Sequence, residues 1–328
     1  MVKMRGSIGQ YLKQFQLLRA LVKASRLLRN FAVDRCLKLF LLIKSPAVRL
    51  ENSADEIIVS LTSFPARLPF AWASIESIMQ QSRKPGRVIL VLASPQFPQR
   101  RLPYLIRWQV FRGLEIRWVN VDSKSFKKLI PVLKDQGSRR VVTVDDDVIY
   151  DQHLLEVLSS EAMSNPECVI GTRGWAVTWE NGAPTDYLGF KRPSNRYACE
   201  DTLLTGVGGI MYPPSIFNVP DLCDYETARK LCPTADDIWF WSVLRAHGYK
   251  FLSLEKQVHR ENFSARRTVR LTDVNWHGGG NNAALRAVAE YLKLEPIGSS
   301  GVDQTGPASD GAGSLGQAPL GRGMDAIH

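Results

Sequence analysis

A chain of 328 residues with 45% hydrophobic content can bury a sizeable core, which excludes a disordered or fibrous protein. Its formal charge of +10 suggests an anionic partner until the charge is located: residues 1–50 hold 11 of the 42 Lys and Arg against one acid, Asp34, leaving 31 of each sign in residues 51–328. The body is neutral, so no basic nucleic-acid groove is expected across it, and the basic property belongs to the N-terminal segment.

Within that segment Leu12, Phe15, Leu18, Leu21, Val22 and Leu28 recur at three- and four-residue spacing, predicting a helix from Tyr11 to Asn30. Lys13, Gln16, Lys23, Arg26 and Arg29 fall mostly on the opposite face. A basic amphipathic helix suits an anionic membrane surface, where each Lys or Arg adds ~1 kcal/mol. Packing on its own domain is the competing expectation. The next apolar stretch, Cys36 to Ile43, is interrupted by Lys38 and is too short to span a bilayer. Basic residues throughout the segment also argue against a cleavable signal. Cys36, Cys168, Cys199, Cys223 and Cys232 are odd in number and lack the two-residue spacing of zinc or redox pairs, which fits a reducing cytoplasm. The expected location is cytoplasmic, with peripheral attachment to the inner face of the plasma membrane as an option.

Short Val- and Ile-rich runs follow: Glu56 to Leu61, Arg87 to Ala93, Leu114 to Val121 and Arg140 to Val144 all read as strands. Helical patterns lie between them at Phe70 to Gln81 and Lys127 to Lys134. This is the rhythm of an α/β domain with a mostly parallel sheet flanked by helices, spanning about residues 55–290. His153 to Met163 reads as a further helix and Cys168 to Arg173 as a short strand, with loops and short strands from Gly174 to Asp201. Leu203 to Pro214 reads as an apolar strand interrupted by Gly206, Gly208 and Gly209, marking a bulge or a close approach. Residues 295–328, rich in Gly, Ser, Ala and Pro, are expected to form a disordered tail.

Two acidic motifs stand out. Asp145, Asp146 and Asp147 end the fourth strand, where ligands bind in such sheets, and their mutual repulsion suggests a cation. Asp236 and Asp237 follow Thr234, a plausible N-cap, and open an aromatic-rich helical stretch that would hold them rigidly. A fixed, partly desolvated carboxylate suits general-base work on a hydroxyl.

Taken in order, the segments from Ile57 to Leu68, Ser125 to Leu133, Val141 to Tyr150, GVGGIMYPP and ADDIWF resemble bacterial GT-A fold glycosyltransferases that build cell-surface polysaccharides from nucleotide-sugars. The resemblance implies an Asp-x-Asp motif in which Asp147, with Asp145, binds Mn²⁺ or Mg²⁺ completed by the diphosphate. Asp145 would accept hydrogen bonds from the ribose or share the metal through water, and Asp146 would support the loop at the donor site. It further implies Thr62, Ser63 and Arg67 at the base and ribose end, Lys128 or Lys127 at the diphosphate, and Gly208 and Gly209 beside the acceptor. Asp237 would be the base, with Asp236 the alternative or a positioner. His277 is the first candidate for an additional metal ligand and His259 the second; Asn281 and Asn282 stand where related enzymes tend to carry Asn-Asp. The implied partners are a nucleotide-sugar, a UDP-sugar first, and a glycan or glycolipid acceptor, with inversion at the anomeric carbon. A sugar nucleotidylyltransferase is the rival enzyme class, though SLTSFPARL lacks the expected glycines; an inactive membrane-tethered scaffold is the non-enzymatic rival.

Overall fold

The computed structural model describes residues 31–32, 35–45, 57–134, 137–194, 197–255, 259–261 and 279–297. The expected helix over Tyr11 to Asn30, residues 298–328 of the expected tail and His277 lie outside the described residues.

The first half of the chain runs through helix α1 (residues 35–44), β1 (Ile57–Thr62), α2 (Leu68–Met79), β2 (Arg87–Ala93), α3 (Tyr104–Phe111), β3 (Leu114–Val119), α4 (Ile130–Leu133), β4 (Arg140–Thr143), β5 (Val148–Tyr150) and α5 (Leu154–Ser164). The second half adds β6 (Val169–Gly171), β7 (Gly174–Ala176), β8 (Trp179–Glu180), β9 (Ala183–Pro184), β10 (Thr202–Leu204), β11 (Ile210–Tyr212), α6 (Tyr225–Leu231), α7 (Asp236–Ala246), β12 (Phe251–Ser253), β13 (His259–Glu261) and α8 (Gly280–Tyr291).

Seven strands form one sheet in the order β12-β6-β11-β4-β1-β2-β3, all parallel except β11, which is antiparallel to both neighbours. Alternation along the strands divides the core. Val59, Leu61 and Leu90 pack toward α2 and α5 on one face, while Ile58, Ile89 and Val141 pack with Phe126 and α7 on the other. Both faces being covered is why these strands read as unbroken apolar runs. From β1 the chain moves through β2 to β3 on one side and returns to β4 on the other, so the order reverses between β1 and β4. In such sheets ligands bind beside a reversal of this kind, at the carboxyl ends of the strands, where this chain places Thr62 to Arg67 and the aspartate triplet.

Two expectations are corrected. Leu203 to Pro214 is not one strand: β10 pairs with β7, β11 joins the main sheet, and a 3₁₀ turn over Gly206–Gly208 separates them. Gly209 leaves that turn at φ +80°, a left-handed conformation natural to glycine. Lys127 to Lys134 is likewise not one helix but a 3₁₀ turn, Lys124–Lys128, followed by the single turn α4. No sequence periodicity announces α3, because Tyr104, Val110 and Phe111 are all exposed.

An ion pair invisible to sequence pattern links α2 to the end of α3. Arg112 donates to Glu76 at 2.7 and 2.9 Å with both side chains almost fully buried, and Gln109 donates to the same carboxylate at 3.0 Å. Arg112 and Trp108 also donate to the Ser45 hydroxyl at the end of α1.

Candidate active site

The aspartate triplet divides its work by direction. Asp146 points inward and is buried: Ser63 Oγ and Arg67 donate to its carboxylate, and Ser74 of α2 donates to its backbone oxygen at 2.8 Å. Asp145 and Asp147 each keep about a third of the side chain exposed, at 30% and 32%. The Asp145 amide donates to the buried Tyr150 hydroxyl at 2.8 Å, which ties the loop to β5. Burial, reinforced by the Asp145 charge, pushes the Tyr150 phenol well above its usual pKa, so that oxygen stays protonated.

Part of the repulsion within the triplet is offset by the protein's own cations. Arg67 Nη1 lies 3.0 Å from Asp146 and 3.3 Å from Asp147, and Lys128 Nζ lies 3.1 Å from Asp145. Both lysines of the SFKK segment are buried rather than solvated. Lys127 pairs with Asp122, away from the acidic centre, whereas Lys128 sits at its middle.

Lys128 joins the two acidic motifs. Its Nζ is 3.1 Å from Asp145, 3.0 Å from Asp236 and 3.7 Å from Asp237, with only 5% of the side chain exposed. Burial alone would lower the pKa of this ammonium, but the three carboxylates outweigh it and hold it well above the usual lysine value. Asp237 feels the reverse balance: burial, aided by Asp236 and Asp145 and opposed by Lys128, raises its carboxyl to about 7.

The geometry of Asp237 is set by a backbone group. The Gly206 amide donates to Asp237 Oδ2 at 2.9 Å, while Oδ1 has no hydrogen-bond donor among the described residues. Gly206 belongs at this point because a Cβ there would stand 2.5 Å from Lys128 Nζ and 3.2 Å from both Asp145 and Asp237. The helix bearing these carboxylates is capped by Ala235 without a side-chain bond, so Thr234 is not the N-cap. The Asp237 carboxylate reaches across to Gly206 instead of closing its own helix.

Other expected residues sit differently. Thr62 Oγ1 donates to the Val91 carbonyl at 2.8 Å and braces β1 against β2, while Ser63 and Arg67 are engaged with Asp146. Gly208 is packed tightly, since a Cβ would meet Thr172 Oγ1 at 2.8 Å and the Arg173 backbone nitrogen at 3.0 Å; Gly209 supplies the turn. Gly206, rather than Gly208 or Gly209, is the glycine that touches the acidic centre. The backbone of His259 lies opposite Tyr150 in the β13–β5 pair. Asn282 accepts from the Tyr187 amide at 2.7 Å and so fastens α8 to that loop.

As a metal site the described residues form no cage: no group of three His, Cys, Asp or Glu side chains converges among them. Asp145 and Asp147 present two hard oxygen donors at the carboxyl end of β4, a set that fits a magnesium-like ion completed by phosphate oxygens.

No family model and no curated protein matches the chain. Solved structures do. Residues 1–349 of S. aureus TarS, solved alone and with UDP, align over 73% of this chain and 72% of that one, with TM-score 0.42 at 13% and 14% identity. A mannosyltransferase from Pyrobaculum calidifontis in complex with GDP-Man and Mn²⁺ aligns over 81% and 85%, with 13% identity and TM-score 0.41. A CMP:2-keto-3-deoxy-manno-octonic acid synthetase complexed with CTP covers 61% of this chain and 89% of that one, with 13% identity and TM-score 0.39. Overlap is partial and identity low, so function rests on the site's own geometry.

Proposed function

We propose that the protein is a glycosyltransferase that moves a sugar from a nucleotide-sugar, a UDP-sugar first, to a cell-surface glycan or lipid-linked acceptor with inversion. One observation carries this reading. Lys128 couples Asp145, at the carboxyl end of β4, to Asp236 and Asp237 at the head of α7, so a leaving-group site and a base would share one charged centre.

Asp237 Oδ1 is buried toward Lys128 while the side chain as a whole is about a quarter exposed, so Oδ2, oriented by the Gly206 amide, is the oxygen that would accept the proton of an acceptor hydroxyl. As that hydroxyl oxygen bonds to the anomeric carbon, the bond from this carbon to the diphosphate breaks and its electron pair leaves with the nucleotide. Lys128 would offset the negative charge that develops on that side, and Asp236 holds the ammonium in place. Asp145 and Asp147 would hold a divalent cation, which when bound neutralises diphosphate charge. Arg67 and Ser63 keep Asp146 turned inward so that its neighbours face outward.

The test is nucleoside diphosphate release from UDP- and GDP-sugars with and without Mn²⁺. Asp237→Asn should lower transfer ~10²–10⁴-fold while nucleotide binding persists. Undiminished turnover in Asp147→Ala would remove the metal role, and pyrophosphate released from a nucleoside triphosphate would move the protein to the nucleotidylyltransferases. The same proposal places the protein in the cytoplasm, with residues 1–50 resting on the anionic inner face of the plasma membrane.

A further inference from the structure

The even charge balance of residues 51–328 conceals a long run of one sign. Residues 77–114 carry seven Lys and Arg and no Asp or Glu. Arg87 and Arg112 take the two acids that flank the run, Glu115 and Glu76. The other five, Arg83, Lys84, Arg100, Arg101 and Arg107, are all exposed. Cations from separate elements crowd here as well. Burial and then the Arg112 charge lower the Lys84 pKa, Glu76 acts against them, and Lys44 of α1 adds to the lowering.

Within this run α3 is built inside out. Tyr104, Arg107, Trp108 and Phe111 recur at the three- and four-residue spacing by which a helix usually buries a face. That face is turned to solvent: Tyr104 is 76% and Phe111 66% exposed, Arg107 is exposed and Trp108 is half-buried. The buried side consists of Ile106 and the polar Gln109, which donates to the Trp72 carbonyl and to Glu76. Trp108 and Phe111 stack with centroids 5.6 Å apart, so the outer rings form one ordered surface. Trp108 Nε1 also donates to Ser45 Oγ at 3.1 Å, which sets this stripe beside the end of α1.

An exposed aromatic face among unpaired-sign charges marks an interaction surface, and the charge selects the partner. A second copy offering the same face would bring arginines against arginines. A polynucleotide is held in a groove that tracks its backbone, whereas α3 is a convex helix with the aliphatic Val110 exposed beside its rings. An anionic bilayer suits both features: Tyr and Trp rings favour the headgroup level, and Lys or Arg near the surface is drawn to acidic lipid. We propose that α3 docks the folded domain on an anionic membrane surface, with Tyr104 and Phe111 entering the headgroup layer and Arg101 and Arg107 held by lipid phosphates. The contact belongs to a helix of the domain itself, so it would set the orientation of the domain on the bilayer. It rests on residues 77–114, shares only the bilayer with the placement of residues 1–50, and is independent of the glycosyltransfer reading.

Flotation of the full chain with phosphatidylcholine vesicles, with and without phosphatidylserine, tests it. Tyr104→Ser with Phe111→Ser should weaken capture by the anionic vesicles about tenfold. Arg101→Gln with Arg107→Gln should weaken it by a similar factor and flatten its fall with salt. All four side chains are exposed, so both pairs should melt with the parent, and the arginine pair keeps the test decisive should the aromatic pair fold poorly. Capture like the parent's by a folded form of either pair, or equal capture of the parent by neutral vesicles, would overturn the proposal. So would a dimer in sedimentation that the aromatic pair dissociates, or release of the vesicles by single-stranded RNA, since these give the face to a second copy or to a nucleic acid. A chain that floats through α3 yet releases no nucleoside diphosphate from any sugar nucleotide would keep this contact and lose the proposed function.

Discussion

Asp237 is held between burial, which favours its neutral form, and Lys128, which favours the charged one, and the balance leaves its carboxyl at about 7. A base must be unprotonated to act, so kcat/KM should rise about tenfold per pH unit below 7 and level off above it. Asp237→Asn should abolish that limb along with most activity. The same shift has a consequence for stability. Below pH ~4 both folded and unfolded chains hold this proton; between ~4 and 7 the folded chain keeps it while the unfolded chain releases it. This group's contribution to stability therefore falls as pH rises through that window. Urea unfolding at pH 5 and pH 8 should show Asp237→Asn gaining stability relative to the parent at the higher pH; a gap independent of pH would refute the raised carboxyl. The acidic residues were legible because carboxylates clustered beside apolar runs are conspicuous. Their coupling through Lys128 was not, since one sequence does not show which distant acid a buried lysine will meet. Gly206 was hidden for a related reason: only the space a Cβ would need distinguishes it from the packed Gly208 and the turn-forming Gly209.

At the scale of elements, the strands buried on both faces were readable from their Val and Ile content, and β1 to β4 fall within two residues of expectation. The region from Gly174 to Asp201 was legible as loops and short strands but not strand by strand, because β7 to β9 are two or three residues long and cannot establish a period. The glycine-broken stretch was misread as one strand for a geometric reason: the residues after Leu204 turn away to approach Asp237 before rejoining the main sheet as β11. The packing of α2 on α3 depends on an interaction with no sequence signature at all. Glu76 and Arg112 are desolvated and satisfied by one another, with Gln109 and Ser45 completing the network. Removing one partner leaves a buried charge exposed to no solvent and no counter-ion, so Arg112→Met should cost ~3–5 kcal/mol in urea unfolding. Glu76→Leu combined with Arg112→Met should recover much of that loss, because neither charge then remains buried. Additive destabilisation in the double variant would show that the network contributes through shape rather than charge.

For the molecule as a whole, α1 decides how the basic segment relates to the folded body. One side of the helix belongs to the domain: Leu41 packs with Ala73 and Ile149, and Gln80 donates to the Leu41 carbonyl at 2.8 Å. The other side exposes Leu39, Phe40, Leu42 and Ile43, with Leu39 at 59% and Ile43 at 69%. A short helix that is apolar on two faces has more surface to bury than its own domain covers. It lies within a segment of net charge +10. These features together favour an anionic bilayer surface, with charge drawing the segment in and the outer face of α1 entering the headgroup region. Flotation should carry the full chain with anionic vesicles at about 0.1 M salt, less so at higher salt and little with neutral vesicles. Leu39→Ser with Ile43→Ser should reduce flotation about tenfold without changing the melting temperature, because both side chains are exposed on the outer face of α1. If that variant floats like the parent, the attraction comes from the basic residues alone and α1 is only a packing element. If neutral vesicles capture the chain equally well, the positive charge of residues 1–50 serves another partner.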